Sequence, residues 1–264
     1  MRVIRHCENI PASLKGCTVA IGNFDGVHRG HQAVIGRAAE IARKTNTPLI
    51  AMTFEPHPRY YFTPNTTPFR LTPFRAKVNQ IKALGVDAML VVAFNKHFSQ
   101  VTADKFIDDV LIAGLSARNV IVGYDFTFGR NRGGDTDFLA AKARENNFEF
   151  TTVQPVATAD SVIYSSTAIR DHLIGGKPGH AAALLGRPFE IEGRVIRGDQ
   201  IGRTLGFPTA NLLLGDYIEP AYGIYAVRVG IHAGAVMEWH LSLIHISEPT
   251  RRTPSSYAVF CLKK

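Results

Sequence analysis

The stretch Thr18-Val-Ala-Ile-Gly-Asn-Phe-Asp-Gly-Val-His-Arg-Gly-His31 decides the fold of the first part of the chain. It begins with a short apolar run, which is typical of a strand buried on both faces of a sheet. A glycine-rich turn follows, and apolar residues then recur at helical spacing, at Val34, Ala38 and Ile41. This order of strand, tight turn and helix is typical of the opening unit of a parallel α/β sheet.

The same alternation continues through the first two-thirds of the chain. Short apolar runs alternate with segments of helical spacing, and Thr72-Pro73 has the form of a helix start. The predicted strands are residues 18–22, 49–54, 88–94, 119–123 and 148–156, and the predicted helices begin near Arg29, Thr72, Thr102, Asp135 and Ser165. We therefore expect a Rossmann-like α/β domain with a doubly wound parallel sheet over residues 1–185.

The pattern changes after residue 185. Residues 189–197 and 223–229 are β-type runs, separated by Gly and Pro turns and without a helical period. Runs of this kind are typical of a small antiparallel barrel. We therefore expect a second domain that begins at residue 186.

Composition and charge limit the class of protein. The chain has 264 residues, of which 45% are hydrophobic, and this is enough to bury a sizeable core. It lacks an apolar run of the roughly 20 residues that a membrane span needs and a signal-peptide pattern, so we expect a cytoplasmic protein with no membrane partner. Its three cysteines include no C-x-x-C pair, which argues against a disulfide framework or a zinc site. The net charge of +8 comes from scattered basic residues, which favours small polyphosphate ligands over nucleic acid.

The glycine-rich turn contains residue types that bind phosphate. In a parallel sheet the carboxyl ends of the strands form the ligand-binding edge, and backbone amides at the helix start point into it. His28 and His31 flank Gly30, which leaves room for a nucleotide, and their imidazoles can donate hydrogen bonds to phosphate oxygens during attack at phosphorus. A metal site and a solvated helix face are alternative interpretations of the histidine pair.

Two later segments are predicted to reach the same edge of the sheet. Tyr164-Ser-Ser-Thr-Ala-Ile-Arg170 combines hydroxyls at a helix start with an arginine whose planar fork suits a phosphate. For Ser165 alone, an ordinary N-cap is the simpler interpretation. Gly123-Tyr-Asp-Phe-Thr-Phe-Gly-Arg-Asn-Arg-Gly133 combines aromatics and glycines with Asp125, a candidate for a polar contact to a ring system.

Four motifs occur in order along the chain: the histidine turn, Thr53-Phe-Glu-Pro-His-Pro58, Gly123-Tyr-Asp-Phe-Thr-Phe-Gly129 and Ser165-Ser-Thr-Ala-Ile-Arg170. Together they resemble the bacterial bifunctional riboflavin kinase and FAD synthetase family, over about residues 15–240. The resemblance implies transfer of AMP from ATP to flavin mononucleotide (FMN), with Mg²⁺ and with release of pyrophosphate. Such a reaction needs no protein nucleophile, because positioning and charge stabilisation supply most of the acceleration.

The resemblance also implies roles for individual residues. The implied catalytic residues are His28, His31 and Arg170. The implied ATP-binding residues are Gly22, Asn23, Phe24, Gly30, Ser165, Ser166 and Thr167. The implied flavin-binding residues are His57, Pro58 and Asp125.

A second signature of the same family follows in Gly193-Arg-Val-Ile-Arg-Gly-Asp-Gln-Ile-Gly-Arg-Thr-Leu-Gly-Phe-Pro-Thr-Ala-Asn-Leu212. The resemblance implies riboflavin kinase chemistry here, with a glycine loop around the phosphates of ATP and side-chain oxygens for Mg²⁺. Thr209 is the implied Mg²⁺ ligand. The implied nucleotide-binding residues of this signature are Gly198, Gly202, Gly206, Thr209 and Asn211.

The resemblance ends at about His240. Residues 241–264 resemble translated sequencing-adapter readthrough, so we expect a non-native tail after a partial kinase domain at residues 186–240. An incomplete riboflavin-kinase-type β-barrel leaves strand edges unpaired and apolar faces exposed. We therefore expect poor order or a tendency to aggregate from about residue 186 onward, and loss of riboflavin kinase activity.

Three other functions fit part of the pattern. A cytidylyltransferase or a pantetheine-phosphate adenylyltransferase shares the histidine turn but needs no kinase signature. A flavin- or nucleotide-binding protein uses the same residues without turnover. A nucleic-acid-binding module uses the net positive charge and binds with a steep dependence on salt. The oligomeric state stays open.

Overall fold

The computed structural model describes residues 1–7, 10–63, 67–157, 162–196, 210–233, 236–246 and 254–262. The chain forms two compact units. The first contains Met1–Thr66 and Phe74–Tyr164, and the second contains Thr67–Pro73 and Ser165–Lys264. The predicted first domain, residues 1–185, therefore spans the first unit together with two segments of the second.

A six-stranded parallel sheet forms the centre of the first unit. Its strands are β1 (Arg2–Ile4), β2 (Thr18–Ile21), β3 (Leu49–Glu55), β4 (Ala88–Ala93), β5 (Asn119–Gly123) and β6 (Glu149–Val153). Their order across the sheet is β1-β4-β3-β2-β5-β6, so successive strands add to one side of β2 and then to the other. This reversal opens a crevice outside the carboxyl ends of β2 and β5, where parallel α/β sheets bind ligands. The predicted Rossmann-like fold is confirmed.

Both faces of this sheet are apolar, and helices cover them. Val19 and Ile21 of β2 pack into one core, and Ala20 packs into the other. The helices are α1 (Arg29–Thr45), α2 (Pro58–Phe62), α3 (Phe74–Ala83), α4 (Lys96–Ser99), α5 (Ala103–Lys105), which continues as a π-helix over Phe106–Gly114, and α6 (Thr136–Asn146). The four helices predicted in this unit begin within two residues of the expected starts. β1, α2 and α4 could not be predicted from the sequence, because three to five residues are too few to show a period.

The second unit combines two helices with an antiparallel sheet. The helices α7 (Ser166–Ile174) and α8 (Pro178–Leu185) precede the strands β7 (Phe189–Ile196), β8 (Asn211–Leu212), β9 (Gly223–Ala233), β10 (Val236–Ile246) and β11 (Pro254–Leu262). The strand order is β10-β9-β11-β7-β8, so the described part of this sheet is open, with β10 and β8 at its edges. An open antiparallel sheet agrees with the predicted incomplete barrel.

Residues 241–246, predicted to lie in a non-native tail, continue β10. This strand pairs with β9 from Val236 opposite Ala233 to Ile246 opposite Gly223, and β11 pairs with both β7 and β9. Residues with high β-propensity within residues 241–246 explain why the pairing of β10 with β9 extends to Ile246. Apolar side chains are nevertheless exposed on β10, as predicted, since Leu241 is 86% exposed and Leu243 is 72% exposed. The interpretation of residues 241–264 as non-native sequence stays a prediction.

Candidate nucleotide-binding site

The turn between β2 and α1 is tightly folded and largely buried. Phe24, Gly26 and Val27 have positive φ angles of 48°, 87° and 42°. Such a backbone conformation costs a residue with a side chain about 1–3 kcal/mol, so surrounding contacts must hold Phe24 and Val27 in place. Both residues are buried. Strain at the carboxyl edge of a parallel sheet is typical of a backbone shaped for a ligand.

His28 and His31 form a stacked pair at the start of α1. His28 is the N-cap of the helix, and its Nδ1 accepts a hydrogen bond from the His31 amide at 3.4 Å. The ring centroids lie 3.7 Å apart with 24° between the planes, and the Phe24 ring meets His31 edge-on at 5.4 Å. Because Nδ1 of His28 accepts, the neutral imidazole carries its proton on Nε2, which is a donor.

Gly30 makes this stacking possible. A Cβ at its position would lie 3.0 Å from Cε1 of His28, 3.1 Å from Nδ1 of the same ring and 3.2 Å from the Tyr164 carbonyl oxygen. At Gly22, a Cβ would lie 2.9 Å from the Phe24 ring. Each glycine therefore makes room for an aromatic ring of the turn.

Residues that the sequence analysis missed hold the turn from the side of β3. The Asn23 carbonyl oxygen accepts hydrogen bonds from Lys77 Nζ at 2.8 Å and from Thr53 Oγ1 at 3.1 Å. Lys77 Nζ also donates to Glu55 Oε1 at 2.9 Å, and its side chain is fully buried. One signal was available in the sequence, since Lys77 lies four residues before Ile81, on the face of α3 that packs into the core.

The predicted flavin-binding residues follow the two strands that flank β2. His57 comes directly after β3 as the N-cap of α2; its Nδ1 accepts from the Arg59 amide at 3.2 Å, and Pro58 is the first helical residue. Asp125 comes after β5 and is exposed, whereas His57 and Pro58 are half-buried. Neighbouring strands lie about 4.8 Å apart, so the ends of β3 and β5 are separated by about 10 Å across the histidine turn.

A cluster of aromatic rings, also missed, lies where β3 and β4 end. The Phe94 ring centroid is 5.6 Å from that of Tyr61, 5.7 Å from that of Phe62 and 6.4 Å from that of Phe54. Phe62 is 68% exposed, although it packs on this cluster. An exposed ring that is held by other rings offers a surface on which a planar ligand can stack.

The remaining predicted residues of the adenylyltransferase site belong to the second unit. Ser165 is the N-cap of α7, as its position at the helix start predicts, with Oγ accepting from the Ala168 amide at 3.2 Å. Ser166 is half-buried and Thr167 is exposed. The Nε of Arg170 donates to the Phe69 carbonyl oxygen at 2.8 Å, and its guanidinium lies 5.3 Å from the Phe69 ring centroid. The segment Thr67–Pro73 therefore orients Arg170.

Comparison with known proteins identifies both parts of the chain. The FAD synthetase family model matches residues 10–168, and the riboflavin kinase family model matches residues 185–263. The chain belongs to the bifunctional riboflavin kinase/FMN adenylyltransferase family. The histidine turn lies inside the FAD synthetase match, and the Ser165–Arg170 motif lies at its end.

Relatives that carry the family's name are similar over most of the chain. The bifunctional riboflavin kinase/FMN adenylyltransferase of Escherichia coli K12 is 43% identical over 230 residues, which are 87% of this chain and 73% of that protein. Its counterpart in Haemophilus influenzae is 38% identical over 236 residues, or 89% and 76% of the two chains. The crystal structure of a macrolide-efflux protein from Streptococcus pneumoniae has a TM-score of 0.79 at 27% identity and covers 99% of this chain and 90% of that one.

The riboflavin kinase signature of this family member falls mainly outside the described residues. Gly198, Gly202, Gly206 and Thr209 all lie there. Asn211 is described and is exposed in β8. The riboflavin kinase match runs through residue 263, so it includes most of the stretch 241–264.

Three further properties of the described residues concern membrane spans, metal-binding groups and the Cys17 thiol. In the described ranges, no helix has both the length and the apolar character that crossing a membrane requires. The same ranges contain no group of three or more His, Cys, Asp or Glu side chains that could hold a metal ion. Burial raises the pKa of the Cys17 thiol to about 12, so this thiol stays protonated at neutral pH and is not a nucleophile.

Proposed function

We propose that this chain makes FAD by transferring AMP from ATP to FMN, with release of pyrophosphate. The observation that carries the proposal is the stacked pair of His28 and His31, held at the start of α1 outside the reversal point of the parallel sheet. Membership of the FAD synthetase family supports ATP and FMN as the substrates.

The proposed reaction is a single displacement at phosphorus. An oxygen of the FMN phosphate forms a bond to the α-phosphorus of ATP, and the bond from that phosphorus to the pyrophosphate oxygen breaks. His28, through Nε2–H, and His31 donate hydrogen bonds to the α-phosphate oxygens as their charge grows. The start of α1 adds the positive end of its dipole. Catalysis by positioning and charge stabilisation leaves no covalent enzyme intermediate.

The flavin ring system is proposed to bind at the ends of β3 and β5. His57 and Pro58 lie on one side of the histidine turn and Asp125 on the other. The exposed ring of Phe62 stacks on the isoalloxazine, and the Asp125 carboxylate accepts a hydrogen bond from its polar edge. The half-buried position of His57 supports a role in recognition.

Ser165, Ser166, Thr167 and Arg170 are proposed to bind ATP. The start of α7 carries hydroxyls and backbone amides, which together suit a polyphosphate. Arg170 is oriented by a hydrogen bond from its Nε and by the Phe69 ring, so the planar face and the terminal nitrogens of its guanidinium are fixed in direction. A fixed guanidinium loses little freedom when it binds a phosphate.

Mg²⁺ is proposed to enter with ATP. Mg²⁺ prefers oxygen ligands and commonly takes most of them from substrate phosphates and water, with one or two protein carboxylates. The phosphates of ATP supply such oxygens, and the described residues hold no cluster of three or more candidate ligands. When bound, the ion neutralises charge on the phosphates. Thr209 and Asn211 remain the proposed Mg²⁺ and ATP ligands of the riboflavin kinase site.

The experiment that tests the function mixes folded chain, Mg²⁺ and ATP separately with FMN and with riboflavin, and separates the flavins by chromatography. We expect FAD from FMN. No FAD from FMN, in a sample whose folding is verified by circular dichroism, would overturn the proposal. FMN formed from riboflavin would contradict the predicted loss of kinase activity.

Competing functions give different results in the same assay. An adenylyltransferase for pantetheine phosphate would release pyrophosphate with that acceptor and not with FMN, and a cytidylyltransferase would require CTP. A binding protein without turnover would bind FMN and ATP but release no pyrophosphate. We also propose a cytoplasmic location and no nucleic-acid partner. Nucleic-acid binding that weakens steeply with salt would contradict the second of these proposals.

A further inference from the structure

We propose that Lys77 is a positioning residue for adenylyl transfer, because it fixes the peptide between Asn23 and Phe24 so that the Phe24 amide faces the nucleotide phosphates. The inference rests on the proposed function. Lys77 lies outside the histidine turn, 54 positions along the chain from Asn23, with which it makes a hydrogen bond.

The ammonium group of Lys77 donates hydrogen bonds to three acceptors. They are the Asn23 carbonyl oxygen at 2.8 Å, Glu55 Oε1 at 2.9 Å and Thr53 Oγ1 at 3.4 Å. Burying a charged ammonium costs several kcal/mol, and pairing it with a carboxylate often only balances that cost. Well-packed apolar residues in place of both Lys77 and Glu55 would give about equal stability, so stability alone does not explain the ion pair.

The Asn23 carbonyl is the contact that links Lys77 to the site. It accepts from two side chains, Lys77 and Thr53, so its direction is fixed. In a planar trans peptide the carbonyl and the following N–H point in opposite directions. With the carbonyl held toward Lys77, the Phe24 N–H must point away from it.

The Phe24 amide fits the role of a ligand donor. Phe24 is buried and has a φ of 48°, and the described residues offer its N–H no hydrogen-bond acceptor. A buried backbone donor without an acceptor costs free energy comparable to a lost hydrogen bond, and a bound phosphate oxygen would remove that cost. Successive amides in a turn that includes positive φ form anion-binding concavities.

The test compares Lys77→Met with a matched control in the same helix, Ile81→Ala. Both replace a fully buried side chain of α3, but only the Lys77 side chain can donate a hydrogen bond to the turn. We expect Lys77→Met to lower kcat/KM for ATP by about 100-fold, as expected when a preorganised backbone donor is displaced, with KM for FMN unchanged. Ile81→Ala should lower the melting temperature and leave kcat/KM for ATP within a few-fold of the wild type.

Two further variants keep the test decisive if Lys77→Met does not fold. The double variant Lys77→Met/Glu55→Gln removes both charges of the ion pair together and so avoids an unpaired carboxylate. Thr53→Val removes the second donor to the Asn23 carbonyl, and we expect it to reduce kcat/KM for ATP by about 10-fold. Activity within a few-fold of the wild type in a folded Lys77 variant would overturn the proposal, as would losses that merely follow the melting temperature.

Nucleotide binding separates this proposal from the proposed function. If the wild type makes no FAD, ATP affinity is measured by calorimetry for the wild type, Lys77→Met and Ile81→Ala. A weaker affinity in Lys77→Met alone would support the positioning role although the assigned reaction is wrong. Equal affinities in all three would overturn the positioning role as well.

Discussion

Histidines cap two neighbouring helices of the first unit, and the difference between them indicates what each one does. Nδ1 of His28 accepts from an amide at the start of α1, and Nδ1 of His57 accepts from an amide at the start of α2. His28 is only 5% exposed and is stacked on His31, whereas His57 is half-buried. A fixed, buried imidazole suits charge stabilisation at a reacting centre. A partly open one suits the recognition of a substrate.

Replacing His28 should have the largest effect. We expect His28→Ala to lower kcat for FAD formation by about 100- to 1,000-fold, because a donor to the transition state is lost. The same change removes the N-cap of α1, which costs about 1 kcal/mol of stability. His28→Asn restores a capping oxygen without the imidazole, so its kcat should stay low while its melting temperature recovers. Full activity in His28→Asn would show that the ring serves only as a cap.

Adding a methyl group beside His28 tests whether its stacked position matters. In Gly30→Ala the new Cβ would lie 3.0 Å from the His28 ring and 3.2 Å from a backbone oxygen, so the ring must shift. We expect kcat to fall by about 10- to 100-fold, since small displacements of catalytic groups have effects of this size.

Gly36→Ala is the matched control for Gly30→Ala. It lies in the same helix, and nothing is within 4 Å of its added Cβ. It should keep full activity and gain about 0.5–1 kcal/mol of stability. If both variants are equally active, the His28 ring tolerates displacement and the comparison with His57 loses its basis.

Replacing His57 should affect binding of FMN rather than turnover. We expect His57→Ala to raise KM for FMN by about 10-fold with kcat nearly unchanged, the pattern of a contact made equally in the ground and transition states. His57→Asn keeps a capping oxygen for α2 and controls for the loss of the cap. Steady-state kinetics with FMN varied at saturating ATP measure the difference. A fall in kcat with KM unchanged would reverse the roles assigned to the two histidines.

The smallest effect is expected at Phe62. Its ring is 68% exposed, so Phe62→Ser should leave the melting temperature unchanged. Loss of a stacking ring worth about 0.5–1.5 kcal/mol should raise KM for FMN by about 2- to 10-fold. Ile174, on α7, is also an exposed apolar residue. Ile174→Ser is therefore the control and should leave KM for FMN unchanged. An unchanged KM in Phe62→Ser would place the flavin ring elsewhere.

The parts that could be predicted from sequence are those that local patterns encode. The β2–turn–α1 unit was predicted because its strand is a continuous apolar run and its helix has a clear apolar face. The prediction of Ser165 as an N-cap also held, because capping depends on residues only three positions apart. The roles of His28, His31 and Arg170 in catalysis stay predictions.

The parts that could not be predicted depend on distant contacts. Lys77 contacts Asn23 across 54 positions, and helical spacing shows only that it lies on a buried face. Positive φ at Phe24 and Val27 could not be expected, because residues with side chains rarely adopt it without tertiary contacts that compensate. Arg170 is oriented by Phe69 across 101 positions, through a segment that leaves the first unit to join the second.

The burial of Cys17 provides a built-in reporter of how often the core of the first unit opens. Its side chain has no exposed surface, and its thiol stays protonated, so a maleimide can react with it only in molecules that have opened. Cys7 is half-buried and should label sooner, and mass spectrometry of peptides distinguishes the two. Cys17 immediately precedes β2, the strand that leads into the histidine turn. Its labelling rate with and without ATP therefore measures how strongly nucleotide binding keeps that strand closed.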